Sequence, residues 1–319
     1  MILVTGASGH IGRHIVRRLL DAGLQVRVLL PASKQRTLPW DTHDQNAPEI
    51  VTGNLLNDEA VFRAVSGAYV IIHLENAMWW GRPRDLERIE VVGTRNLITA
   101  ARAARVGRII TLSQLGASPS SAFNLQRTKG EVEDLIRGSG LAYTIIRSGL
   151  VFGPEDAFVN HIAMLLAVTP GIFLMPGRGE VNIQPIYIDD LVELLYRSLE
   201  KIDVIDETLE IGGSEYLSFE DLVLTVMRVI RAPRIVIRLP PYVLRWLTRL
   251  YGLVFPRTLM TQQWMDILAA NRVVRIGNTY NYFGVRPRRF EDTLVTYMRE
   301  RRYFFSALRY IFRRRPRES

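Results

Sequence analysis

Cysteine is absent from the 319 residues. That excludes disulfides, thiolate metal sites, iron–sulfur clusters and cysteine nucleophiles, and it agrees with a reducing compartment. Histidine is scarce, at positions 10, 14, 43, 73 and 161 only. His10 and His14 stand four apart, but Ile11 sits where a zinc protease carries its glutamate, and the pair falls in a glycine loop. No metal site is expected. Lysine is rarer still. Of 41 basic residues only Lys34, Lys129 and Lys201 are lysines, so each one is informative. No apolar run is long and clean enough to span a membrane. Phe158–Met175 is broken by Asn160, His161 and Pro170, and Leu239–Pro256 by Arg245 and Arg249. The N-terminus, Met1 to Gly6, runs straight into a glycine motif without a charged leader or cleavage site. A cytoplasmic protein is expected, soluble or peripheral to the inner face of a membrane.

Apolar residues make up 48% of the chain and charged residues 23%, which are globular proportions. The net charge of +9 is concentrated at one end: Arg299 to Ser319 carries eight arginines against Glu300 and Glu318. The first half alternates short apolar runs (Ile2–Thr5, Gln25–Leu30, Glu49–Val51, Tyr69–Leu74, Arg108–Ser113, Tyr143–Arg147) with helical patterns (Ile11–Ala22, Asp58–Val65, Asp85–Ala104, Thr128–Arg137). Near-continuous apolar strands alternating with helices predict an α/β fold, a doubly wound parallel sheet covered on both faces. A smaller, mostly helical C-terminal part follows. The expected domains are 1–150 with 182–213 returning to the sheet, a second part from 151–181 and 214–298, and a basic aromatic tail at 299–319. Leu239–Pro256 has helical spacing and is expected to be a core helix of that second part.

Thr5-Gly6-Ala7-Ser8-Gly9-His10-Ile11-Gly12 lies between a predicted strand and a predicted helix. Gly6 suits a tight turn, Gly9 a close approach of backbone to pyrophosphate, and Gly12 close packing of helix on strand. The helix start offers unpaired N–H groups to phosphates. Dinucleotide binding is the expectation.

This loop resembles that of the short-chain dehydrogenase/reductase superfamily, in its extended or atypical branch. Gly53-Asn54-Leu55 is similar to the family's adenine contact, and Ile72-His73-Leu74 to the segment beneath its cofactor. Gly93-Thr94-Arg95-Asn96 resembles its long-helix signature. Arg147 to Pro154, which includes Val151, and Gln184 to Asp190 resemble two later signatures. The details of Gly130-Glu131-Val132-Glu133 and Ala142 to Arg147 are most similar to the subgroup around the nucleotide-binding accessory subunit of respiratory complex I and its bacterial relatives. That likeness implies a Rossmann-like fold with NAD(P)(H) held by Gly6, Ser8, Gly9, His10, Ile11, Gly12, Asn54, Leu55, Leu74 and Val151.

The family's chemistry uses a Tyr-x-x-x-Lys pair and a serine on the preceding strand end. Ser113 and Lys129 match the serine and lysine, and both are also expected to contact the cofactor. The tyrosine position is Leu125, which cannot donate a proton, so the catalytic set is incomplete. Glu90 replaces a helix asparagine. Glu75, just beyond the fourth strand, would lie near the cofactor ribose or pyrophosphate, where a carboxylate is electrostatically awkward, and the favoured reading is a solvated loop charge. The second strand ends without a carboxylate, and Lys34 and Arg36 could cradle a 2′-phosphate, favouring NADP(H) over NAD(H). The expected function is an NADP(H)-holding protein with little turnover in a membrane-associated or redox-complex context. The alternative is an active reductase or sugar-nucleotide epimerase-like enzyme using another acid. The arginine-rich, aromatic C-terminus suits an anionic membrane surface or a membrane protein complex. Nucleic acid ranks below both, since no nucleic-acid motif accompanies the charge.

Overall fold

The computed structural model describes residues 1–35, 40, 46–75, 86–255 and 257–313. The chain divides into two compact units. The first comprises Met1–Ser148, Ile188–Ile211 and Asn278–Val285, and the second Gly149–Tyr187, Gly212–Gly277 and Arg286–Ser319.

The first unit holds a seven-stranded sheet with every pairing parallel: β1 (Ile2–Thr5), β2 (Val26–Leu30), β3 (Glu49–Thr52), β4 (Val70–His73), β5 (Arg108–Gln114), β6 (Ala142–Ser148) and β7 (Glu207–Ile211), in the order β7-β6-β5-β4-β1-β2-β3. Strands β1 and β4 are buried at every position, because helices cover both faces of the sheet. Strand order reverses between β1 and β4, where the carboxyl ends of the strands open a crevice. One core layer joins Leu3, Ile71, Ile109 and Ile145 of the strands to Val61, Leu97 and Val132 of the helices Asp58–Val65, Gly93–Ala103 and Asn124–Arg137. Asn57 caps the first of these, its Oδ1 accepting the Ala60 N–H at 2.9 Å. The predicted strands and helices are present. The helix placed at Thr128–Arg137 starts a turn earlier, at Asn124. The expected start of the long helix at Asp85 lies outside the described residues. Its first described full turn, Glu87–Val92, is π-helical, and it continues as Gly93–Ala103.

The second unit is built on an aromatic centre. Phe158 lies 4.2 Å from Trp264 between ring centroids, and Phe219 packs against both. Around it lie the helices Phe158–Val168, Phe219–Val229 and Phe290–Met298, with Ser218 capping the second through Asp221 N–H at 3.0 Å. A parallel strand pair, β8 (Ile172–Pro176) and β9 (Ile235–Leu239), interrupts the helical pattern expected here.

One expectation is corrected. The helix Pro241–Val254 is not a core helix: only Leu244 on it is buried, while Tyr242 (73% exposed), Trp246 (59%) and Leu253 (83%) face outward. The basic aromatic segment from Arg299 is helical through most of its described part. Tyr303–Ile311 is a helix that buries Tyr303, Ala307 and Ile311 against the second unit, and the Tyr303 hydroxyl donates to Asn160 Oδ1 at 3.2 Å. Arg314, Arg315 and Arg317 lie outside the described residues. Among the described residues, no helix is long and apolar enough to cross a membrane.

Candidate functional site

The site is built at the carboxyl end of β1. Gly6 turns the chain with φ +70°, and a Cβ there would stand 2.5 Å from the Leu74 carbonyl oxygen. A Cβ on Gly12 would stand 2.2 Å from the Gly6 carbonyl oxygen. These two glycines are required by the fold itself. Gly9 differs. It is exposed, its φ of −72° suits any residue, and a Cβ would meet only the Gly6 carbonyl oxygen, at 3.1 Å. Its N–H closes the loop onto Gly6 O at 2.9 Å, and Arg13 N–H makes the first helical bond, to Gly9 O at 3.1 Å. The amides of His10, Ile11 and Gly12 precede that bond, and no side chain among the described residues caps the helix start. A twelve-residue helix therefore presents its positive end, uncapped, at an exposed glycine, which fits a pyrophosphate. Ser8 and Ile11 are half-buried beside it. His10 is neutral, its pKa lowered to about 4 by burial and then by His14 and Arg13.

The layer beneath is polar and closed. His73 lies between Thr5 Oγ1 (2.7 Å) and Thr94 Oγ1 (2.9 Å), and burial, with the Lys129 charge, lowers its pKa to about 3. Asn96 donates to the Leu55 carbonyl at 3.0 Å. Thr94 and Asn96, signature residues in the sequence, thus lock the long helix onto the strand ends. Leu55 itself is buried in the core, and the Asn54 carboxamide oxygen accepts the Leu56 N–H at 2.9 Å. Leu74 hydrogen-bonds through its N–H to Thr5 O at 3.2 Å. Lys34 sits on the short helix Ala32–Gln35 after β2, close enough to act electrostatically on Glu75. Arg36 lies outside the described residues. Val151 belongs to the second unit, paired with Ile186.

The remnants of the catalytic set are held apart. Leu125 and Lys129 are a helical turn apart and buried on Asn124–Arg137. Lys129 Nζ meets Glu90 Oε2 at 2.7 Å, and Glu90, on the π-helical turn, is 2% exposed. The glutamate that replaces the family's asparagine thus takes the lysine as its ion-pair partner. Ser113 is buried beside Glu133. Burial would raise that carboxyl, but hydrogen bonds from Arg147 and Arg137, with the Arg147 charge, hold it below the ordinary carboxylate value. Arg147 and Arg137 reach Glu133 at 2.7 and 2.6 Å, so buried Glu133 and half-buried Arg147, two positions that marked the subgroup, form a structural pair. No hydrogen bond joins Ser113 to Lys129 among the described residues.

Two residues were misread or missed. Glu75 is not a solvated loop charge. It is half-buried, accepts the Gly6 N–H, and is pushed up to about 7 by burial and by the neighbouring Glu90. Gln114 closes β5, and its Nε2 is buried without a hydrogen-bond partner among the described residues. An adjacent polar residue at a strand end is a weak signal, and the sequence offers nothing stronger for it.

Residues 6–157 match a family model described as NAD(P)H-binding. The chain is 30% identical over 268 residues to mouse (Mus musculus) mitochondrial "NADH dehydrogenase (ubiquinone) 1 alpha subcomplex subunit 9", covering 78% of this chain and 66% of that protein. It is also 30% identical over 190 residues to the "Ceramide reductase" of Caulobacter vibrioides, covering 60% of this chain and 58% of that one. The chain thus spans just under two thirds of the first relative's length and less of the second's. In structure it is similar to a nucleoside-diphosphate-sugar epimerase from Staphylococcus aureus, with a TM-score of 0.74 and 15% identity over 92% of this chain and 99% of that one.

Proposed function

We propose that this chain, which carries an NAD(P)H-binding family domain over residues 6–157 and resembles the extended short-chain dehydrogenase/reductase superfamily, holds NADP(H) with little hydride turnover. The observation that carries this reading is the Lys129–Glu90 pair beside Leu125. An active site of this kind needs an acid to deliver a proton, and a free ammonium to lower that acid's pKa and bind the ribose. Here the acid is a leucine and the ammonium is neutralised by a buried carboxylate. The binding half of the machinery is intact: an uncapped helix start, the glycine turn and a closed layer beneath. In this reading the amides of His10 to Gly12 hold the pyrophosphate. When bound, the cofactor would supply a nicotinamide for hydride transfer or serve as a structural ligand.

NADP(H) is favoured because Pro31 to Gln35, after β2, contains no carboxylate to take ribose hydroxyls, while Lys34 stands there as a cation for a 2′-phosphate. The membrane-associated context draws on the complex I relative and on the arginine-rich C-terminal region. The competing reading is turnover, favoured by the likeness to a ceramide reductase.

Purified protein should release about one dinucleotide per chain on denaturation. It should leave bound NADPH unoxidised when offered carbonyl substrates. Rapid oxidation by the unaltered protein would overturn the holding reading in favour of turnover. Absence of dinucleotide, together with no calorimetric binding of NADPH or NADH, would overturn both.

A further inference from the structure

The second unit contains a cavity of about 760 Å³ that the dinucleotide site does not use. It is bounded by the helices Phe158–Val168, Pro241–Val254 and Tyr303–Ile311 and by β8, with Leu165, Phe173, Leu244, Leu250, Phe255 and Leu308 among its walls. Its size falls in the range of about 300–1,000 Å³ that encloses small ligands. Its chemistry is narrow. Among the described residues lining it, only Thr169, Thr248 and Tyr251 carry polar side chains. Thr169 Oγ1 donates to Leu165 O at 2.7 Å and Thr248 Oγ1 to Arg245 O at 2.9 Å, so both hydroxyl protons are already spent inside helices. The Tyr251 ring is stacked on Phe255 at 4.3 Å. Such a wall cannot satisfy a peptide backbone or a sugar.

The cavity opens to the surface: of its wall residues, Leu250, Tyr251, Val254, Leu308 and Phe312 are 36–73% exposed. Two arginines follow wall residues directly in the chain, Arg309 after Leu308 and Arg313 after Phe312. Both are exposed and have no carboxylate partner among the described residues. Arg313 instead lies near another cation, Arg257, whose pKa is lowered by burial and in part by that charge. Apolar walls that reach the surface, with exposed guanidinium groups one residue beyond them in the chain, complement one class of molecule, a long-chain amphiphile with an anionic phosphate head.

We propose that this cavity binds one anionic phospholipid, with acyl chain inside and phosphate on Arg309 and Arg313. The inference stands on the second unit alone, and it gives the membrane-associated context proposed above a specific ligand.

The test uses the full chain and phosphatidylglycerol as probe. After mixing with phosphatidylglycerol or phosphatidylcholine vesicles and re-isolation, native mass spectrometry should find one phospholipid per chain, with the anionic lipid retained about tenfold better. Thr248→Trp fills the cavity without altering charge and should abolish retention. If that variant fails to fold, Val168→Trp from the opposite wall replaces it. Arg309→Gln with Arg313→Gln should keep a lipid but lose the anionic preference. Absence of retained lipid, or retention unchanged in a folded cavity-filled variant, overturns the proposal. So does a lipid-independent dimer broken by Thr248→Trp, which would assign the surface to a second copy. Retention of free oleate in place of phospholipid would assign the cavity to fatty acid and overturn the phosphate contact. NADPH binding measured on the same samples separates these outcomes from failure of the dinucleotide reading.

Discussion

Replacing Glu75 by glutamine should tighten dinucleotide binding at alkaline pH and leave it nearly unchanged at pH 6. Glu75 accepts the Gly6 N–H within the phosphate loop, and burial together with Glu90 has pushed it up to about 7. A pyrophosphate at the same loop would raise it further, because a like charge disfavours ionisation. At about 6 Å and an effective dielectric constant of about 20, one carboxylate charge opposes one phosphate charge by about 3 kcal/mol before screening. Salt reduces that, so a 10- to 100-fold effect is expected where Glu75 is ionised, each tenfold being about 1.4 kcal/mol. The pH dependence has a definite sign. Below the free-state value of about 7 the group is already protonated and costs nothing. Above it, binding must take up a proton, and affinity falls by up to about tenfold per pH unit. Calorimetric titration of NADPH at pH 6 and pH 8.5, in two buffers of different ionisation enthalpy, measures both affinity and proton uptake. Equal affinities of Glu75→Gln and the unaltered protein at pH 8.5, with no proton uptake, would refute the reasoning.

Gly9→Leu should fold normally, since its φ is ordinary and its Cβ meets a single oxygen, but it should lose dinucleotide binding; unchanged affinity would remove the loop from the site. Glu90→Gln leaves Lys129 buried without its partner and should cost about 3–5 kcal/mol of stability. Because the freed ammonium can turn to a ribose hydroxyl, NADPH should raise the variant's melting temperature more than the parent's; identical ligand shifts would contradict this. Lys34→Glu should weaken NADP(H) far more than NAD(H) in a side-by-side titration, and equal losses would place the 2′-phosphate elsewhere. Burial raises Asp156 from 3.8 to about 7, so the stability tied to its protonated form is complete below about pH 4 and is lost as pH climbs through 7. That is a fall of about 4 kcal/mol at most, and Asp156→Asn should flatten it in denaturant titrations across pH 5–8.

The sheet was legible because strands such as Ile2–Thr5 and Val70–His73 are apolar at nearly every position, as both-face burial demands. Strand Ile235–Leu239 was not. It alternates exposed and half-buried residues around Arg238, and its partner Ile172–Pro176 lies some sixty residues away in the chain. The glycine loop could be read because its sterics are local. The fate of Lys129 could not: its partner Glu90 comes from another helix, and the π-helical turn that holds Glu90 has no distinctive composition. Glu75 was misjudged for the same reason. Proximity to Gly6 and Glu90 is a product of topology, and a lone glutamate after a strand carries no trace of it. The amphipathic spacing of Pro241–Val254 announced a helix and concealed which side would face water.

The order in which the chain visits its two units matters during synthesis. The parallel sheet lacks its edge strand Glu207–Ile211 until well after Ser148 has left the ribosome, and the first unit gains its last segment, Asn278–Val285, only after most of the second has been made. A nascent chain stopped near residue 150 would present the open flank of strand Ala142–Ser148, a template for pairing with other chains. Fragments cut at a single point cannot reproduce either unit, so expression of the isolated first half should yield aggregate. Molecules truncated before Val285 are accordingly expected to depend on chaperones in a way that the 319-residue chain does not.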